Sequence, residues 1–305
     1  MAAPAPPSES PSGSPPATVV LEAVGFCGAD DTVNVRHLLS ISGEFPLVEW
    51  GVLLRPGREG QPRYATERWI GRLAAAVAAE QRAEGGSGRT VRLAAHLCGT
   101  HVDDLLSSHV DESARLAADG LLARLAGWGF RRVQVNPTAV NGVDVGRLGE
   151  ASARLSLLRT VRSHPGLEFI VQRNGETEAL WGALLADDES EGSMSLPENV
   201  VFLHDESKGT GKESSSMCAG SEFVRTARRV VGYAGGIRPG NVVRMATLAT
   251  EACAESGGRT CWIDMESGVR SRRMEGDAVE DVFDLSKCYD CVDALCEAGL
   301  MERGA

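Results

Sequence analysis

Gly235-Gly236-Ile237-Arg238-Pro239-Gly240-Asn241 and, further on, Ile263-Asp264-Met265-Glu266-Ser267-Gly268-Val269-Arg270 are the most informative segments of this 305-residue chain. Each follows a short apolar run with the character of a buried strand, Val230 to Ala234 and Thr260 to Ile263, and the first leads directly into a helical pattern. Glycine lets a backbone approach an anion closely, and unpaired N–H groups at a helix start supply donors and partial positive charge. The two segments therefore predict a phosphate-binding edge made by Gly235, Gly236, Ser267 and Gly268. In a (β/α)8 barrel such an edge lies after strands 7 and 8.

Working outward from these loops, apolar and β-branched runs recur along the chain: Val19–Val24, Leu47–Leu54, Val91–Leu97, Arg132–Val135, Leu167–Val171, Val200–Leu203, Val230–Ala234 and Cys261–Ile263. Helical patterns lie between most of them. Trp69, Ile70, Leu73 and Val77 share one face, as do Leu121, Leu122, Leu125 and Trp128, and later Val242, Met245, Ala249 and Ala252. Continuous apolar strands alternating with amphipathic helices imply a parallel sheet covered by helices. Eight such units predict an α/β fold, a (β/α)8 TIM barrel over residues 18–305. The stretches Gly99 to Glu112 and Ala186 to Pro197 read as loop insertions, and Gly211 to Arg229 reads as a loop with a short helix.

Residues 1–17 are rich in Ala, Pro and Ser with a single charge, so they cannot bury enough surface to offset the entropy of ordering and are expected to form a disordered tail. They carry neither the basic start and apolar core of a secretory signal nor the arginines of a mitochondrial presequence. No apolar stretch approaches the roughly 20 residues of a membrane span. Eight cysteines scattered through the chain then read as reduced thiols, and a cytoplasmic location is expected. The net charge of −11 argues against a general nucleic-acid partner. Nothing in the sequence bears on oligomeric state.

Barrel active sites are built where strands end, so the polar residues there are the candidates. They include Cys27-Gly28 after strand 1, Arg63 beyond strand 2, and His96-Leu97-Cys98-Gly99-Thr100-His101 at strand 3. Later strands add Gln134-Val135-Asn136, Gln172-Arg173-Asn174 and His204-Asp205-Glu206. The only lysines are Lys208, Lys212 and Lys287, none closing strand 1, 2 or 4, which disfavours Schiff-base chemistry. Cys98 with His101 offers a possible thiol–imidazole pair. Cys288-Tyr289-Asp290-Cys291 has a C-x-x-C spacing but no second pair, so Cys288, Cys291 and Cys296 are expected to pack inward in a last helix, and no metal site is assigned.

Taken together, these segments resemble the phosphoribosylanthranilate isomerase family of the tryptophan pathway, in the ribulose-phosphate-binding barrel group. The family's Lys-Ile-Cys-Gly is similar to Gly25-Phe26-Cys27-Gly28, its Ser-Pro-Arg to Gln61-Pro62-Arg63, and its Val-Gln-Leu-His-Gly in part to Val133 through Pro137. Its Leu-Asp followed by Gly-Gly-Thr-Gly looks like His204-Asp205 followed by Lys208 through Gly211. Its Ala-Gly-Gly-Leu-x-Pro-x-Asn-Val is matched by Ala234 through Val242, and its Asp-x-x-Ser-Gly-Val-Glu by Asp264 through Arg270. Asn136 departs from the family's histidine, and the chain is longer than the family's compact barrels.

The resemblance implies a cofactor-independent Amadori rearrangement of a phosphorylated aminoaldose to an aminoketose, with a small phosphorylated sugar as partner. It makes Asp205 the acid that opens the sugar ring and Cys27 the base that removes the C2 proton. Arg63 would hold a substrate carboxylate and Asp264 the sugar or amine, with Arg238 and Arg270 adding charge at the phosphate. The chemistry asks for a raised pKa at the acid, with Glu206 as a source of charge, and a lowered one at the thiol. Alternatives stay open: an Asp at a strand end also caps its own loop. A barrel that keeps the anion edge without catalysis, or that acts on another sugar phosphate, would share the pattern.

Overall fold

The eight apolar runs become eight strands of one closed barrel. The computed structural model describes residues 19–82, 91–189, 196–205, 207, 230–275 and 278–304, so the predicted tail, Glu206, and the stretch Lys208 to Arg229 lie outside the described residues. Strands β1 (Val20–Cys27), β2 (Val48–Leu54), β3 (Arg92–Leu97), β4 (Arg132–Val135), β5 (Glu168–Arg173), β6 (Val200–Asp205), β7 (Val231–Ala234) and β8 (Thr260–Met265) are parallel neighbours in that order. β8 pairs with β1 and closes the ring, matching Gly25 with Asp264 and Phe26 with Met265.

Helices α1 (Val35–Glu44), α2 (Glu67–Arg82), α3 (Thr100–Ser107), α4 (Glu112–Gly127), α5 (Ala151–Ser163), α6 (Glu178–Glu189) and α7 (Val242–Glu255) cover the outside. The main core fills the space between them and the outward strand faces. Phe26, Trp50, Phe169, Phe202 and Tyr233 from the strands are fully buried there, with Trp69 and Phe45 from the helical layer. The indole nitrogens are satisfied, Trp50 donating to Ser42 Oγ at 2.8 Å and Trp69 to the Val33 carbonyl at 2.8 Å, so these rings bury their area without a polar penalty.

Strand residues alternate in direction, so the neighbours of these core residues point into the barrel. Its interior is packed by Ala23, Ile170, Val201, Leu203, Ala234 and Trp262, of which Leu203 and Ala234 lie nearest the C-terminal strand ends. Arg132 lies 4.2 Å over the Trp262 ring and is bonded to Glu49 at 2.9 Å and Glu168 at 2.7 Å, which pairs a buried cation on both sides. The barrel floor is thus solid, and any site must open at the other end. Among the described residues no helix is long and apolar enough to cross a membrane.

Two features depart from the sequence reading. The predicted insertion at Gly99–Glu112 is not a loop: it holds α3, whose Val102, Leu105 and Leu106 are buried against α4 and α5. The second insertion lies partly outside the described residues, and α6 runs into it as far as Glu189. After β8 the chain forms an antiparallel hairpin of β9 (Arg270–Glu275) and β10 (Ala278–Phe283) before the last helix, α8 (Leu285–Glu297). In that helix Cys288 and Cys291 are buried and Cys296 is half-buried, so they pack as small apolar groups.

Candidate active site

Strand alternation aims Cys27 and Gly25 of β1, Gly51 of β2, His96 of β3 and Asp264 of β8 at the upper barrel axis. Cys27 Sγ lies 3.1 Å from His96 Nδ1, and both residues are buried. Two glycines make this convergence possible. A Cβ at Gly51 would stand 2.9 Å from His96 Nε2 and from the Cys27 Cα, and one at Gly25 would stand 2.3 Å from Asp264 Oδ1. Gly25→Ala is therefore expected to cost about 1–3 kcal/mol by overpacking and to displace Asp264. Thermal unfolding and turnover measured together check this, and an unaltered Tm with full activity would contradict the packing described.

One open cavity, about 590 Å³ counting the solvent space at its mouth, lies above these residues. Cys27, Asp205 and Asp264 line it together with Gly235, Gly236, Ser267 and Gly268. β1 and β6 stand well apart around the ring, so the thiol and Asp205 enter the space from different sides. The loops after β7 and β8 meet closely, since a Cβ on Gly268 would lie 1.9 Å from the Ile237 carbonyl oxygen. Gly235 and Gly236 adopt φ of +114° and +66°, conformations that favour glycine. Asn241, just before α7, holds this loop by donating to the Gly236 carbonyl at 3.0 Å and accepting from the Arg238 N–H at 2.8 Å.

The side chains at the base of the cavity are buried and mostly acidic or neutral. Burial pushes the Cys27 thiol well above its ordinary range, and the charges of Asp264 and Glu266 add to the shift. Burial also drives His96 down to about 3, with Arg132 reinforcing it. Asp264 is raised to about 8 by burial and by Glu49 and Glu266, against an opposing pull from Arg132. The sequence reading asks for a lowered thiol; the enclosure and its carboxylates produce the reverse. No lysine or arginine is among the described residues lining the cavity.

Asp205 is placed at the cavity but is heavily engaged. Its Oδ2 accepts from Gln172 Nε2 at 2.6 Å, and its Oδ1 accepts from the Ser207 backbone N–H at 3.0 Å and the Ser207 hydroxyl at 2.5 Å. The loop-capping role left open by the sequence is thus visible. Asp264 is 8% exposed, and its carboxyl accepts no hydrogen bond from the described residues. Of the two, Asp264 has its oxygens available to a ligand.

Arg63 is not among the described residues lining the cavity. It stands behind the wall, bonded to Glu266 at 2.5 Å, Asp281 at 3.3 Å and the Ser267 hydroxyl at 3.2 Å. The hairpin explains this, because it delivers Asp281 to the guanidinium. Arg270 is also occupied. It bonds Asp30 at 2.8 Å, Asp281 at 2.8 Å and the Gly28 carbonyl at 2.7 Å, with its side chain 3% exposed, and so clamps hairpin to barrel instead of facing an anion. Arg238 turns its guanidinium to the Gly236 carbonyl at 3.1 Å. Of the expected anion edge, the described residues at the cavity therefore offer backbone and the Ser267 side chain.

The thiol–imidazole pair differs from the one the sequence offers. Cys98 faces Asn141 Oδ1 at 3.6 Å and Asn136 Nδ2 at 3.7 Å, while His101 lines a separate cavity with Arg124 and Trp128. His96, two residues before Cys98 and hence on the same strand face, is the partner of Cys27. Gln134, Asn136 and Gln172 add amides to the cavity wall, and Gln172 Oε1 is a buried acceptor without a partner among the described residues.

No family model matches the chain, and no curated protein matches it. Solved structures do. It is similar to D-allulose 3-epimerase from Methylomonas sp. at 12% identity and a TM-score of 0.52, covering 92% of this chain and 99% of that one. It is similar to an L-ribulose 3-epimerase at 14% identity and a TM-score of 0.50, over 92% and 95% of the two chains. N-(5'-phosphoribosyl)anthranilate isomerase from Pyrococcus furiosus matches at 12% identity and a TM-score of 0.42, over 90% and 98%. At such identities the likeness is one of fold, the eight-stranded barrel.

Proposed function

We propose that this barrel is an isomerase of a phosphorylated aminosugar, catalysing an Amadori rearrangement like that of phosphoribosylanthranilate isomerase. The observation that carries the reading is the single cavity shared by Cys27, Asp264, Asp205 and the Gly235–Gly236 and Ser267–Gly268 loops. Such a substrate needs an anion edge at one end and proton-transfer groups at the other.

In the reaction an acid gives a proton to the ring oxygen, the C1–O bond breaks with its electron pair on oxygen, and the nitrogen lone pair forms a C1=N iminium. A base then takes the C2 proton, the electrons form C1=C2, and the resulting enolamine tautomerises to the ketone. The iminium is cationic, and Asp205 and Asp264, in a described lining without lysine or arginine, suit that charge. We assign the acid to Asp264, whose oxygens are available, and give Asp205 with Gln172 the role of orienting sugar hydroxyls. Cys27 is the base, with His96 Nδ1 at 3.1 Å orienting the sulfur, and the cationic iminium formed in the first step is what favours the thiolate in this enclosure.

The purified full chain supplied with N-(5-phosphoribosyl)anthranilate is expected to consume the fluorescent substrate well above the buffer rate. Binding of the compound without any acceleration would instead support a non-catalytic phosphosugar barrel, and neither binding nor turnover would remove the reading.

A further inference from the structure

We infer that Cys27, His96 and Asp264 form a site for one soft divalent cation of the zinc type, and that its occupancy excludes turnover. The Cys27 sulfur, a His96 ring nitrogen and an Asp264 oxygen come from β1, β3 and β8, all lie within 4.8 Å of one another, and all three residues are buried. Thiolate, imidazole and carboxylate together are a zinc donor set, and three protein ligands leave the fourth tetrahedral position to a ligand from the cavity. Zinc–sulfur and zinc–nitrogen bonds of about 2.3 and 2.0 Å at a tetrahedral angle put sulfur and nitrogen about 3.6 Å apart. The observed 3.1 Å needs an opening of roughly half an ångström, within side-chain rotation.

Three further observations point to a ligand. Asp264 is almost fully enclosed yet accepts no hydrogen bond from the described residues, so its carboxyl is aimed at the cluster without a protein partner. Gly25 and Gly51 clear the space in which the donors meet, since a Cβ at either would collide with Asp264, His96 or Cys27. Asp205 adds an acidic group to a cavity wall without arginine or lysine among its described residues, which favours a cation, whereas Glu266 is paired with Arg63.

The exclusion of turnover rests on the function proposed above, because a bound ion ties up the sulfur, imidazole and carboxyl that move protons there. The binding itself does not rest on it.

The test titrates the metal-stripped full chain with cobalt(II) and then displaces it with zinc. One equivalent is expected to give a sulfur-to-metal charge-transfer band that zinc abolishes. Cys27→Ser should remove the band, and His96→Gln and Asp264→Asn should each weaken affinity about 10²-fold or more, with far-UV circular dichroism verifying the fold of each variant. Asp205→Asn, outside the donor set, should keep the band and weaken affinity far less than Asp264→Asn does. Absence of a one-equivalent band, or its survival in folded Cys27→Ser, overturns the site. In the isomerase assay one equivalent of zinc should abolish turnover and a chelator restore it. Turnover that requires the ion would overturn the exclusion, whereas a metal-binding protein inactive in both forms would leave the site standing and remove the proposed function.

Discussion

Cys27→Ala is expected to lower kcat by about 10²–10⁴ while changing KM little, because it deletes the group that takes the C2 proton and leaves the anion edge intact. The residue sits among Leu53, Cys98 and Tyr64, so the alanine removes one sulfur from a small apolar cluster and folding should survive. His96→Gln should follow it in part, since it removes the ring nitrogen 3.1 Å from the sulfur. The two carboxyls separate the proposed roles. Asp264→Asn should lose about 10²-fold or more in kcat, whereas Asp205→Asn, which keeps the shape bonded to Gln172 and Ser207, should act mainly on KM. The reverse ranking would return the acid to Asp205, and wild-type kcat in Cys27→Ala would remove the mechanism.

Arg270→Met should destabilise the protein by about 3–5 kcal/mol, the cost of leaving buried partners without their cation. The guanidinium joins Asp30, Asp281 and two carbonyl oxygens, those of Gly28 and Asp281, at distances of 2.7 to 3.0 Å. It fastens β9 and β10 to the loop after β1, where the chain leaves Cys27. Equilibrium urea unfolding measures the loss, and a change under 1 kcal/mol would show the clamp to be dispensable. The pH dependence has a definite sign. Burial tends to raise Asp281, but hydrogen bonding and charge from Arg270, aided by Arg63, outweigh it and hold its pKa below the ordinary value of 3.8. A carboxyl depressed by folding contributes stability above its unfolded pKa and loses it as pH falls through the folded one. The gap between wild type and Arg270→Met should therefore narrow on acidification below about pH 3.8.

What could be read from sequence follows from how local each feature is. The barrel was legible because eight apolar runs and the helical faces between them are periodic signals that tertiary context did not override. The Gly235–Gly236 and Ser267–Gly268 loops were legible because close approach of two backbones demands particular residues. The pairing of Cys27 with His96 was not, because it depends on register between strands: β1 sets Cys27 against Gly51, and β2 sets Leu53 against His96. Adjacency in sequence offers Cys98 with His101 as a possible thiol–imidazole pair, whereas strand register brings His96 to Cys27. The hairpin had a signal in Gly276-Asp277 between two alternating segments. Its consequence, the diversion of Arg63 and Arg270 into ion pairs with Asp281, is a contact across more than 200 residues for Arg63 that no local pattern announces. The direction of the Cys27 shift was equally hidden, since it depends on which carboxylates share its enclosure.

In the proposed reaction one cavity grips a phosphate between the β7 and β8 loops and presents the sugar carbons to Cys27. A crystal structure of the metal-free protein with a reduced, non-isomerisable aminoribitol phosphate tests it most directly. The account predicts phosphate oxygens within hydrogen-bond distance of backbone N–H groups at Gly236 and Gly268, and the carbon equivalent to C2 in van der Waals contact with Cys27 Sγ. Phosphate bound elsewhere, or the sugar carbons turned away from Cys27 and Asp264, would contradict it.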